Sequence, residues 1–306
     1  MLNLKREKLR WFLHHLFRKT DFRPSKSTLK ALEEVGYKRK IRPIETAQGF
    51  DVDKLKECIK AHRPLLLKGA ANDWACMRWS PENLSQRYPD ETGVITDGDF
   101  MDEKSFEKSL RNLKKSKIGE FSRVSHIVQN NKGLQTEMGD EKLKKVMSFP
   151  HLLTSYQFFF GQIGNTTKLH AGATNNLQIQ VEGTKIWHLI EPRLGPILRP
   201  VIAGEPLLRS WHDTSKPDFE KYPEQKVIPI IEASHEKGDI LFIPTFWWHQ
   251  VMYQNSVISA GVRWISPYSI FRSSLTMLFI VLTAYNPSCF KSLYQIIKGK
   301  NAPFFK

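Results

Sequence analysis

Two histidines, and the residue that follows the first of them at a distance of two, set the chemical question. His170 ends the run Gly164-Asn165-Thr166-Thr167-Lys168-Leu169-His170, and His249 ends Pro244-Thr245-Phe246-Trp247-Trp248-His249. Each closes a strand-like segment. Two imidazoles far apart in sequence but carried on strands are what a non-haem Fe(II) centre takes from its histidines, and a carboxylate commonly completes the set. That carboxylate usually stands two residues after the first histidine, where this chain has Gly172. The pattern offers two nitrogen ligands and an open position.

The elements that must hold these histidines begin near Leu152. Short β-rich runs follow one another: Tyr156–Ile163, Asn176–Val181, Lys185–Ile190, Lys226–Ile231, Asp239–Ile243 and Val257–Trp264, with Gly, Pro and Asn between them. Many short strands separated by turn residues predict an all-β sandwich or barrel. The stretch from Glu191 to Tyr222, rich in Pro and Trp, is expected to form a lid or rim. Before the β-rich region the pattern is mixed. Pro24 to Arg42 reads as a linker with a short helix, Val52–His62 as a helix, and Pro64–Gly69 as a buried strand. Residues 102–117 and 140–147 read as polar helices.

Composition narrows the function classes. The 306 residues are 41% hydrophobic and 25% charged, which is globular rather than disordered. Three widely spaced cysteines, Cys58, Cys76 and Cys289, give neither a disulfide framework nor a zinc-finger spacing, so a reducing, cytoplasmic setting is expected. The net charge of +15 is uneven: residues 1–42 carry +9, residues 269–306 carry +5, and the body between them carries +1. A nearly neutral body argues against a specific nucleic-acid partner. Basic flanks fit an anionic partner at the periphery, such as a membrane surface. In residues 2–19, Leu2, Leu9, Phe12, Leu13, Leu16 and Phe17 fall on one helical face, with no run suited to a secretory signal. The apolar run Leu275–Tyr285 stops before Pro287 and is too short to span a bilayer, which takes about 20 residues. It is expected to pack within the protein, to form a homodimer interface or to lie on a membrane. No Ser/His/Asp order, phosphate-cradling glycine loop or CxxC motif is present.

Several segments together resemble the JmjC/cupin group of Fe(II)- and 2-oxoglutarate-dependent oxygenases, of the asparaginyl-hydroxylase-like kind. They are Arg63–Gly69 with Trp74, Trp79 and Ser80; Asn176 through Trp187; Gly238 through His249; and Trp264. The likeness covers residues 43–268. It implies a mainly β fold, a double-stranded β-helix (cupin or jelly-roll) core with N-terminal α/β elaboration and C-terminal helices. Three parts are expected: a basic helical extension (1–42), the catalytic domain (43–268) and a C-terminal helical segment (269–306).

By position, the resemblance makes His170 and His249 the metal ligands. Lys185 would hold the distal carboxylate of 2-oxoglutarate, Thr167 would assist that lysine, and Asn176 would lie near the co-substrate. Asp239 would shape a turn. Fe(II), 2-oxoglutarate and O2 are the implied cofactors. The chain departs from the family at Gly172, where the metal-binding Asp is expected, and at Val262, where many members have Asn. Glu182 and Asp213 are candidate replacement carboxylates. Three readings of Gly172 compete. A halogenase-type site would admit chloride in the vacated position, a hydroxylase would admit water, and a non-catalytic cupin would have lost the metal and act as a binding or scaffold protein. The first is favoured. The substrate is left open among small molecule, lipid, carrier-bound acyl chain and peptide.

Overall fold

The computed structural model describes residues 4–19, 21–89, 92–96, 101–105, 121–123, 125–147, 154–204, 206–285, 288–291 and 294. Eight strands build its centre: β1 Thr154–Gly161, β2 His170–Ala171, β3 Asn175–Glu182, β4 Lys185–Ile190, β5 Ile230–His235, β6 Ile240–Ile243, β7 Trp248–Tyr253 and β8 Val257–Trp264. Successive strands are dealt to two facing sheets, in the orders β1-β8-β3-β6 and β5-β4-β7-β2. All pairings among the eight are antiparallel. This interleaving is the double-stranded β-helix. Flanking strands enlarge the two sheets to nine and six among the described residues; Thr46–Gln48 and Leu65–Lys68 extend the β6 edge.

Period-two patterning decides which side chains face the space between the sheets. On β3, Leu177, Ile179 and Val181 pack outward with Ile258, Ala260 and Val262 of β8 against the helices Val52–Ala61 and Lys132–Glu137 and their neighbours. Each such buried aliphatic side chain contributes about 1.5–3 kcal/mol. The alternate residues Asn176, Gln178 and Gln180 of β3, and Ser259, Gly261 and Arg263 of β8, face inward. Gly261 is required there: a Cβ would lie 2.5 Å from the Gln178 amide nitrogen.

The strand boundaries differ from expectation at three places. Residues 226–231 are not one strand: Pro223–Val227 forms a 3-10 turn and β5 begins at Ile230. Pro223 at the first position fixes φ for the turn. Met101–Ser105 is a strand paired with Thr92–Thr96, where a helix over 102–117 was expected; residues 106–117 lie outside the described residues. Neither histidine closes a strand: His170 opens β2, and His249 lies inside β7. It is the second residue of β7, delivered by a turn in which buried Phe246 holds φ at 61°.

Both flanks join the barrel's packing. The helix Lys5–Leu16 lies beside the helix Leu275–Leu282, with Phe12 and Phe279 rings 6.2 Å apart and His15 Nε2 3.0 Å from Thr283 Oγ1. Its buried face is Leu4, Glu7, Trp11 and His15. Glu7 is satisfied by Arg10 at 2.6 Å, Ser25 Oγ at 2.6 Å and Thr28 Oγ1 at 2.9 Å. Four residues of the apolar face read from the sequence, Leu9, Leu13, Leu16 and Phe17, are exposed. Trp11 outcompetes them because its ring fills the space against Trp248, at 6.4 Å, and against Gly195.

Candidate active site

β2 and β7 are neighbours, and His170 and His249 are direct partners in their register. Their ring centroids are 4.2 Å apart at 57°. His170 Nδ1 is 2.7 Å from the Lys168 carbonyl, and His249 Nδ1 is 2.9 Å from the Trp247 carbonyl. A carbonyl only accepts, so in each ring Nδ1 carries the proton and Nε2 keeps its lone pair. This is the outer-shell arrangement that orients a metal-binding imidazole. Burial pushes the His170 pKa down to about 4. Burial, and then the charge of His170, holds His249 well below its ordinary value. Both rings are therefore neutral at pH 7, the form that binds a metal. Trp187 covers His249 with ring centroids 5.9 Å apart.

Gly172 follows directly on β2, and its carbonyl accepts from the Phe246 amide at 2.8 Å. Neither backbone nor space demands glycine. A Cβ there would meet Leu207 Cδ1 at 3.9 Å and Thr174 Oγ1 at 4.0 Å, ordinary contacts, and its φ lies outside the left-handed region. Nothing steric at this position therefore keeps a carboxylate out. Neither proposed replacement supplies it. Glu182 is exposed and pairs with Lys237 at 2.6 Å, and Asp213 Oδ1 accepts from Ser215, Lys216 and Gln250. Among the described residues no group of three His, Cys, Asp or Glu side chains converges as a metal site. The two imidazoles fit an Fe(II) ion that takes its remaining ligands from co-substrate, water or a small anion.

Lys185, the first residue of β4, is almost fully buried, and its ammonium donates to Ser259 Oγ at 2.5 Å. The Tyr253 and Phe159 rings lie 4.8 and 5.8 Å from Nζ. No carboxylate pairs with this ammonium among the described residues, and burial lowers its pKa to about 7. Its register neighbours are Tyr253 on one side and His235 on the other. His235 is buried and is driven down to about 3, first by burial and then by the charge of Lys185. Thr167 Oγ1 accepts from the Val251 amide at 3.0 Å, and Asn176 Oδ1 accepts from Gln178 Nε2 at 2.8 Å. Thr167 is thus engaged with β7 backbone, while Ser259 holds the lysine.

Sequence reasoning missed Ser259, His235 and Arg263. Val262, read as the position near the metal, is fully buried in the outward core. Arg263, one residue on, has the inward direction of Ser259 and Gly261. Its charge depresses both His170 and His249. The alternation of β8 itself was the available signal. Asp239, expected to shape a turn, accepts from Gly69, Glu236 and Lys68, while His188 contacts Thr214 and Glu232 and His212 contacts Glu224.

Residues 52–269 match the model of the cupin-like domain family. HSPB1-associated protein 1 from Rattus norvegicus is 24% identical over 251 residues, 72% of this chain and 52% of the relative. The tRNA wybutosine-synthesizing protein 5 of Mus musculus is 23% identical over 248 residues, 72% of this chain and 78% of the relative. The chain thus spans about half the length of the first of these. Among solved structures, the X-ray structure of E. coli ycfD superposes with a TM-score of 0.50 at 18% identity, covering 70% of this chain and 52% of that one, a likeness of fold. With a family match over most of its length and the interleaved eight-strand barrel that carries His170 and His249, the chain belongs to the cupin-like domain family.

Proposed function

We propose that the protein is an Fe(II)- and 2-oxoglutarate-dependent oxidoreductase acting on an unactivated C–H bond. In this reading its metal site is of the halogenase type, with Gly172 leaving a position for a small anion. The observation that carries it is the pairing of two neutral imidazoles, Nδ1 anchored and Nε2 available, with a buried ammonium that lacks a carboxylate partner in the same barrel. When bound, iron and 2-oxoglutarate would supply O2 activation coupled to decarboxylation of the co-substrate.

The chain's own residues would do the rest. His170 and His249 hold the metal. Lys185, steadied by Ser259, takes the distal carboxylate; a cation in a low-dielectric site is worth far more to a dicarboxylate than one in water. Lys185 pairs with Tyr253, four residues along β7 from His249, or about 13 Å of strand. A dicarboxylate held at the Lys185 ammonium would reach from there toward the histidines. Trp187 and Tyr253 wall the space and exclude water. Gly172 removes one negative charge and Arg263 adds a positive field, and both changes favour an anion beside the histidines.

A second reading rests on the same Arg263. A cation near two neutral imidazoles opposes a divalent metal, so a metal-free barrel that binds a dicarboxylate would also use Lys185 and Arg263. Mass spectrometry of products formed from candidate substrates with chloride, then bromide, separates the outcomes. Halide-dependent mass shifts support halogenation, an added oxygen supports hydroxylation, and 2-oxoglutarate binding without iron binding supports the second reading.

A further inference from the structure

The helices Lys5–Leu16 and Leu275–Leu282 present two apolar stripes to solvent. On the first, Leu9, Leu13, Leu16 and the following Phe17 recur at helical spacing; on the second, Leu275, Phe279 and Leu282 do the same. All seven are between 37% and 64% exposed. The stripes adjoin, because Phe279 also touches Phe12 between them. An apolar surface of two adjacent stripes, rather than scattered single residues, marks a contact site.

Charge says what kind of surface meets it. The first helix and its C-terminal end expose Lys5, Arg6, Arg18 and Lys19. The only acid of that helix, Glu7, is buried and bonded to Arg10. The second helix has no acid, nor does any residue from 269 to 306. Among the described residues neither helix exposes an acid, so the apolar stripes are set beside these cations. A lipid surface with anionic headgroups meets both features: acyl chains accept the apolar residues, and headgroups accept the cations. No helix among the described residues is long and apolar enough to cross a membrane, which leaves these helices the in-plane geometry.

We propose that this two-helix face docks on an anionic lipid surface. The face is tied to the candidate site from behind. Trp11, on the buried side of the first helix, packs on Trp248, the residue before His249. Docking would therefore place the histidine side of the barrel toward the membrane.

The test is co-sedimentation of the full chain with vesicles of phosphatidylcholine alone or of equimolar phosphatidylcholine and phosphatidylserine. Binding is expected to the mixed vesicles and to weaken at least about tenfold at high salt, as surface electrostatics require. The L13E/F17E variant alters only exposed positions and should keep the wild-type melting temperature while losing binding. A K5E/R6E/K19E variant should lose binding to the mixed vesicles in the same way. Failure of the wild type to sediment, equal binding to vesicles without phosphatidylserine, or wild-type binding by both variants would overturn the proposal. So would a wild-type dimer in solution that L13E/F17E converts to a monomer, since the face would then join two copies of this chain.

Discussion

The Lys185 ammonium is buried on Ser259 Oγ, with no carboxylate beside it among the described residues. Holding an unpaired charge away from water is costly to the fold, and a group kept under those conditions suits a ligand that brings the missing anion. The Lys185→Met variant should therefore gain about 1–3 kcal/mol of stability without ligand. It should lose at least about 100-fold in affinity for 2-oxoglutarate. Urea unfolding and titration calorimetry read the two effects. A destabilised Lys185→Met that still binds 2-oxoglutarate would remove the lysine from the site.

The same ammonium sets a pH dependence. In the folded chain its pKa is about 7, against 10.5 for the ordinary side chain. Between those values the unfolded state binds more protons, so the lysine's contribution makes the ligand-free protein more stable as pH rises from about 7 to 10.5. Below about 7 the penalty is complete. Affinity for a dicarboxylate should move the other way, weakening as pH rises above 7. Denaturation and binding series on wild type and Lys185→Met check this, because the variant should lack both components.

Placing a carboxylate at residue 172 should raise metal affinity. Gly172→Asp meets only ordinary contacts at its Cβ and should fold as the wild type does. It adds a third protein ligand and should tighten Co(II) or Fe(II) binding about 10–100-fold, while removing any halogenation. Arg263→Asn should also tighten metal binding, by removing a positive charge that acts on both imidazoles. Cobalt absorption titrations report both. Unchanged affinity in the two variants would separate Gly172 and Arg263 from the histidine pair.

Trp11 makes the first helix part of the barrel. The Trp11→Ala variant should cost about 3–5 kcal/mol, the usual range for emptying a buried aromatic site. Urea denaturation measures it, and a loss under 1 kcal/mol, about what a surface substitution costs, would show that the helix is only loosely attached.

His170, His249 and Lys185 stood out because their neighbours agree with one another: a turn before His170, the Gly238–His249 run, and the Glu182-Gly183-Thr184 turn before Lys185; the structure brings the two histidines together and buries the lysine. Most core strands were legible from period-two runs and turn residues. Arg263 was not, because motif spacing counted back from Trp264 and settled on Val262, whereas strand alternation puts Val262 in the outer core. The first helix was legible as a helix but not in its orientation. Hydrophobic periodicity finds an apolar face and cannot say whether protein or another surface covers it; the protein covers Trp11 and leaves Leu9 and Leu13 exposed. Ser259 and His235 carry no motif: the register of β4 with β5 sets His235 beside Lys185, and the facing of the two sheets brings Ser259 to it.

The most direct measurement is anaerobic addition of Fe(II) and 2-oxoglutarate to the full chain, followed by visible absorption and iron analysis. A weak charge-transfer band at stoichiometric iron, lost in both His249→Ala and Lys185→Met, is the expected result. A wild-type protein that shows no band and retains no stoichiometric iron would contradict an iron- and 2-oxoglutarate-dependent enzyme.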